Sequence, residues 1–148
     1  AKTSRSIVEP VKALAAAFEE FGILSEMAAS DGEAQVLPEI EALHLACAFD
    51  MKIPPARRAE VQRLIALVNE QLWIGHFDIW THTGMIMYRQ ALVLPGGLTA
   101  STAQCEAMLV GAIHACERYY PAFQFVVWAG KSASEAMSAA MFDTEGEA

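Results

Sequence analysis

Apolar residues recur along this chain with two different periods. From Ile7 to Phe21, Val11, Leu14, Ala15, Phe18 and Phe21 share one face of a helical spacing, with Lys12, Glu19 and Glu20 turned mostly away. Gly22 follows where a helix end favours a left-handed residue, so the spacing predicts an amphipathic helix. The stretch ILSEMAASDGEAQVL reads as two short strands around Asp31-Gly32, a pair suited to a tight hairpin. ALHLACAFDMKI then alternates at period two. Leu43, Leu45, Cys47, Phe49, Met51 and Ile53 point one way, while Ala42, His44, Ala46, Ala48, Asp50 and Lys52 point the other. That pattern predicts a long antiparallel strand buried on one face.

Pro54-Pro55 closes this strand and opens a second helix, because proline fits a first helical turn. Val61, Leu64, Ile65, Val68 and Leu72 form its apolar stripe, and Trp73 and Gly75 end it. A hairpin follows in GHFDIWTHTGMIMYRQALVLPGG, with Thr83-Gly84 as its two-residue turn. Beyond Gly97, Cys105, Met108, Leu109, Ala112, Ile113 and Cys116 share one face of a third helix, and Ser101 with Gln104 fits a capping box. Pro121 is expected to kink this helix or to start another. Ser132 with Glu135 predicts a last capped helix to about Phe142, followed by a solvated acidic end. These elements give an α+β fold with an antiparallel sheet of about five strands, in the order α-β-β-β-α-β-β-α. They form one domain over residues 1–148, with a core at about 7–130 and a C-terminal helix and acidic tail at 131–148.

Composition adds two things to this picture. Apolar residues make up 54% of the 148 positions and charged ones only 19%, which favours extra buried surface at a subunit or partner interface. The net charge of −8 repels phosphate backbones and anionic lipid, so nucleic acid and membrane surfaces are poor partners. Cys47, Cys105 and Cys116 form no C-x-x-C pair and leave an odd count, which fits buried thiols in a reducing cytoplasm. No charged start precedes a continuous apolar run, so no signal peptide is expected, and no such run nears the roughly 18 residues of a membrane span.

The candidate chemistry centres on the hairpin. His76, Asp78, Trp80 and His82 fall on one face of its first strand, and two histidines with an aspartate are ligand types for zinc or iron. Alternate residues lie roughly 6.5–7 Å apart, so His76 and His82 are separated by nearly 20 Å on a straight strand and cannot bind one ion. A Thr83-Gly84 turn instead sets His82 opposite Met85 and Asp78 opposite Arg89, an ion pair that decorates a solvated face. His44 projects from the outward face of its own strand, and His114 lies near the edge of an apolar helical stripe. Cys47 alternates with bulky apolar neighbours, which raises a thiol pKa rather than activating it, and Cys105 and Cys116 lie eleven residues apart on the apolar face of a helix. Walker A, G-x-S-x-G and dinucleotide-type glycine motifs are absent from the sequence. Ala42, Ala46 and Ala48 make the outward strand face nearly flat, as if covered by the C-terminal segment or by another chain. Tyr119, Tyr120 and Phe123 belong to an aromatic cluster read as core packing with a share in an interface.

The stretch NEQLWIGHFDIWTHTGMIMYRQALVL, followed by LTASTAQCEAMLVGAIHACERYYPAFQFVVWAG, resembles the bacterial YbjN family of sensory transduction regulators. The matching features are Asn69 before Leu72 and Gly75, Phe77-Asp78-Ile79, the returning strand through Arg89, and the helix reaching Tyr120-Pro121-Ala122, over about residues 7–130. The alanine-rich ending after Gly130 departs from the pattern. The resemblance implies a fold like that of type III secretion chaperones, which are small, acidic, commonly dimeric and bind extended client segments. It transfers no catalytic residue. The reading is a non-enzymatic, cytoplasmic regulatory or chaperone-like binding protein, homodimeric, without cofactor, whose partner is a polypeptide. The candidate interface residues are Ala46, Ala48, Tyr119, Tyr120 and Phe123. Two alternatives are a metal-assisted hydrolase using His76, Asp78 or His44, and a structural subunit of a larger complex.

Overall fold

The computed structural model of the protein describes residues 32–37 and 41–147. The predicted first helix (7–21) and the first strand of the opening hairpin lie outside the described residues. The remaining elements follow the expected α+β order. Strands β1 (Gly32–Leu37) and β2 (Ala42–Lys52) precede a 3-10 turn at Pro55–Arg57 and helix α1 (Arg58–Asn69). Strands β3 (His76–Trp80) and β4 (Met85–Val93) lead into the long helix α2 (Thr102–Val127) and then α3 (Ala133–Glu147). The four described strands form one antiparallel sheet in the order β1-β2-β4-β3. Among the described residues, no helix is long and apolar enough to cross a membrane.

Strand β2 behaves as its alternation predicts. Leu43, Leu45, Cys47, Phe49 and Met51 are all buried beneath the helices, whereas His44, Ala46 and Ala48 are half-buried on the opposite face. From α1 the stripe Val61, Leu64 and Val68 enters the same core, joined from α2 by Met108, Ala112, Cys116, Tyr119 and Phe123. Phe49, Phe77 and Phe123 meet at ring-centroid distances of 5.3–5.8 Å, and Tyr119 closes on Phe77 edge-on. Each ring removed from water contributes about 1.5–3 kcal/mol, which makes this aromatic cluster the main tie between sheet and helices.

Three local expectations change. The hairpin loop holds four residues, Thr81 to Gly84, with the Thr83 and Gly84 amides both donating to the Trp80 carbonyl. A two-residue turn with positive φ at both positions would put β-branched Thr83 in the left-handed region; the structure places only Gly84 there, at φ 72°. Pro121 neither ends α2 nor starts a new helix: it sits on an exposed position inside it, with Tyr119, Ala122 and Phe123 buried around it. α3 extends past Phe142 to Glu147, taking in most of what reads as a tail.

Both predicted capping boxes form. Gln104 N–H donates to Ser101 Oγ (3.1 Å) while Ser101 N–H donates to Gln104 Oε1 (2.9 Å), and Ser132 and Glu135 repeat the exchange at α3. A further donor at the start of α3, the Ala133 amide, is bound 2.8 Å from Glu60 Oε2 of α1. That backbone hydrogen bond holds the Glu60 carboxyl below its ordinary pKa, with Arg63 and Arg57 adding to the effect. α3 is thereby fastened across α1 and α2, on the helical side of the sheet. It therefore does not cover the small-residue face of β2, contrary to one of the two expectations for that face.

Candidate functional site

Two regions of the domain gather polar groups, one on each side of β4. The first is the outward sheet face that holds the sequence-predicted histidines. Because the loop is two residues longer than expected, β3 pairs with β4 two positions away from the anticipated register. An even shift leaves every side chain on its expected face but changes its partner. Asp78 stands opposite Met87, not opposite Arg89, and His76 takes the place across from Arg89. The Asp78–Arg89 ion pair survives only as a diagonal contact at 3.5 Å between half-exposed groups, where it contributes at most about 1 kcal/mol.

Arg89 also reaches across to β2, its Nε–H donating to His44 Nε2 at 3.2 Å. His44, His76 and Asp78 are thus brought to a common neighbourhood, but a guanidinium occupies its centre. The lone pair with which His44 Nε2 would bind a metal accepts a hydrogen bond, and the fixed cation repels a second one. Asp78 Oδ1 is taken by the Ile79 amide at 2.9 Å. Among the described residues, no three His, Cys, Asp or Glu side chains are grouped to hold a metal ion. The metal-assisted hydrolase built on these three residues has no constellation to act through.

The candidate interface residues divide. Ala46 and Ala48 lie half-buried on the outward face. Tyr119 and Phe123 are fully inside the core, so neither offers surface to a partner, while Tyr120 is half-buried at the core edge with its ring 4.9 Å from Phe49. The three cysteines are free and buried. Burial raises the Cys105 thiol, and a hydrogen bond with Cys47 together with burial raises that of Cys116, opposite to the activation a nucleophile needs.

The second region went unread in the sequence. A trough of about 410 Å³ runs between α2 and the connection Gln71–Ile74, with β4 as its floor. Its walls are mostly apolar, including Leu72, Leu92 and Met108. Gly111 lies on the α2 side, opposite Gln90. The floor holds Tyr88, whose hydroxyl donates to Gln90 Oε1 at 2.9 Å, with the Ile74 carbonyl a second acceptor at 3.3 Å. His114 and Arg118 line it from α2, and among the described residues no carboxylate does. Two sequence signals mark this place: a glutamine on the buried side of β4 between Tyr88 and Leu92, and a glycine inside a helix, costly by about 1 kcal/mol against alanine.

Tyr88 is 1% exposed, and burial, with the nearby thiols of Cys116 and Cys47, pushes its hydroxyl up to about 12 from 10.0. Above pH 10 the unfolded chain sheds this proton while the folded chain keeps it, so stability is expected to fall as pH rises from about 10 to about 12. Alkaline urea titrations of the parent and of Tyr88→Phe check this: the variant is expected to show a smaller fall, the remainder belonging to the raised Cys105, Cys116 and Tyr120 groups.

The family model for YbjN, described as "Putative bacterial sensory transduction regulator", matches residues 15–125. The chain belongs to the YbjN family. Both regions fall within the matched span, whereas α3 lies beyond it, in the part of the sequence that departs from the family pattern. No curated protein matches the chain. Among solved structures it is similar to "Crystal structure of YbjN, a putative transcription regulator from E. coli", at a TM-score of 0.47 and 7% identity. That similarity covers 71% of this chain and 84% of the other.

Proposed function

We propose that this YbjN-family chain is a non-catalytic regulatory domain that works by holding a polypeptide segment along the trough. The observation that carries the reading lies beside the trough, in the connection whose Gln71, Leu72 and Ile74 line it. Trp73 is 99% exposed and the neighbouring Ile74 66%, in a connection tied down on both sides rather than in a loose loop. A tryptophan displayed to water beside an apolar groove is the residue type that most often dominates a protein interface. The description of the family as a regulator supports a binding role. We propose further that the domain is cytoplasmic, shares the type III secretion chaperone-like arrangement, and forms a homodimer through the flat face around Ala46 and Ala48.

The test places a photo-crosslinking residue at position 73 in cells, with position 128, another exposed tryptophan, as the comparison. Position 73 is expected to capture a defined polypeptide that position 128 does not. Trp73→Ala is expected to weaken binding of that polypeptide by about thirtyfold, the loss typical of a hot-spot side chain. Equal capture at both positions, or unchanged affinity of Trp73→Ala, overturns the reading. For the dimer, sedimentation equilibrium of Ala46→Glu is expected to give a monomer where the parent gives a dimer.

A further inference from the structure

At the other end of β3 a second cavity of about 410 Å³ opens between the end of β2, the start of α1 and the hairpin loop. Lys52, Arg58 and His82 line it, and among the described residues no carboxylate does, in a chain with 18 acidic residues and 10 lysines and arginines. A side chain built on Gly84 would bring its Cβ to 3.5 Å from Arg58 Nη2, so the guanidinium lies directly against the loop.

The neighbouring basic side chains show what is unusual here. Arg57 donates to the carbonyls of Val126 and Lys131 at 2.9 and 2.6 Å, Arg63 pairs with Glu60, and Arg89 is held by His44 and Asp78. Neither the Arg58 nor the Lys52 side chain has a hydrogen bond or an ion pair among the described residues, although Arg58 is half-buried. A half-buried guanidinium with five donors and no acceptor is unfavourable, and a lysine facing the same cavity adds like-charge repulsion. An anion placed between them relieves both.

We propose that this cavity binds a phosphomonoester. Two fixed cations match the double charge of a phosphoryl group better than the single charge of a carboxylate, and the guanidinium fork suits its oxygens. The His82 ring and the Thr83 hydroxyl add further polar groups at the rim. The cavity has space beyond the phosphoryl group, and Ile53, Pro54 and Pro55 give that space an apolar wall for the ester's organic part. The proposal does not rest on polypeptide binding at the trough, because the two cavities share no lining residue.

The test is an NMR titration of the full chain at constant ionic strength with phenyl phosphate, inorganic phosphate and phenol. Phenyl phosphate is expected to shift the amides of residues 52, 53, 56–58 and 81–84 to saturation, inorganic phosphate the same amides about tenfold more weakly, and phenol none of them. Lys52→Gln, which changes an exposed side chain and keeps the backbone pairing with Met85, and Arg58→Gln are each expected to weaken phenyl phosphate by about tenfold. Unsaturable or scattered shifts, or full affinity in both variants, overturn the site. Equal affinity for inorganic phosphate overturns the ester and leaves a free-phosphate site; phenol binding as tightly as phenyl phosphate overturns the role of charge.

Discussion

Gly75→Ala is expected to destabilise the domain by about 2–5 kcal/mol, the sum of a left-handed backbone penalty and of overpacking against Tyr88. Gly75 has φ 77°, and a Cβ built there would stand 2.1 Å from the Tyr88 hydroxyl oxygen and 2.5 Å from Tyr88 Cζ. The ring cannot swing aside, since it is buried and packs edge-on against Phe77 at 5.4 Å. Gly130 separates the two contributions. Its φ is 70°, but nothing lies within 4 Å of a Cβ there, so Gly130→Ala is expected to show the backbone penalty alone, about 1–2 kcal/mol. Urea midpoints at unchanged slope measure both. Similar losses for the two variants would show that Tyr88 yields and that Gly75 is an ordinary left-handed position.

Gly75 also shows what the sequence can and cannot carry. Its place after an apolar helical stripe marks the end of a helix, but its close approach to Tyr88, thirteen residues on, depends on how β3 and β4 are registered. Local patterns were legible: the alternation of β2, the Ser101–Gln104 and Ser132–Glu135 boxes, and the stripe Val61-Leu64-Val68 all depend on residues a few positions apart. The hairpin register was not, because it turns on whether Thr83 accepts positive φ, and the four-residue alternative avoids that cost. Pro121 misled for a related reason. Its local preference is to break α2, yet Tyr119, Ala122, Phe123 and Val126 bury their side chains on both sides of it, and that burial outweighs one lost hydrogen bond.

The functional surfaces were legible only in part. The pattern places His76 and Asp78 on one face of their strand and His44 on the outward face of its own, but the side chain that joins the two strands, Arg89 with its bonds to His44 and Asp78, follows from a pairing that no local window encodes. The trough is assembled from α2, β4 and the Gln71–Ile74 connection, three segments whose proximity no single window of sequence encodes. The basic cavity is of the same kind: Lys52, Arg58 and His82 are separate in sequence and meet only because the hairpin folds back on the start of α1.

Asn69→Ala is expected to cost about 2–4 kcal/mol, more than its partial exposure suggests. The side-chain amide accepts from the Phe77 N–H at 2.8 Å and donates to the Phe77 carbonyl at 3.1 Å, so it acts as one residue of an additional strand along the edge of β3. Alanine leaves both backbone groups unpaired on an edge that α1 shields from water. Asn69→Asp tests the assignment more closely. Ionised, it keeps the acceptor but turns a second oxygen toward the Phe77 carbonyl; protonated, it regains a donor. The deficit of the aspartate variant is therefore expected to be smallest at acidic pH and to grow as the carboxyl ionises, while that of the alanine variant stays level. Hydrogen exchange at the Phe77 amide supplies a second readout, fastest in Asn69→Ala and intermediate in Asn69→Asp. A pH-independent deficit in the aspartate variant would mean that Asn69 merely fills space at the end of α1. The outcome reaches the trough as well, because the bridge from Asn69 to Phe77 spans Gln71 to Ile74 and fixes the wall on which Trp73 is displayed. Loss of that bridge is expected to weaken polypeptide capture at position 73 even where the fold persists.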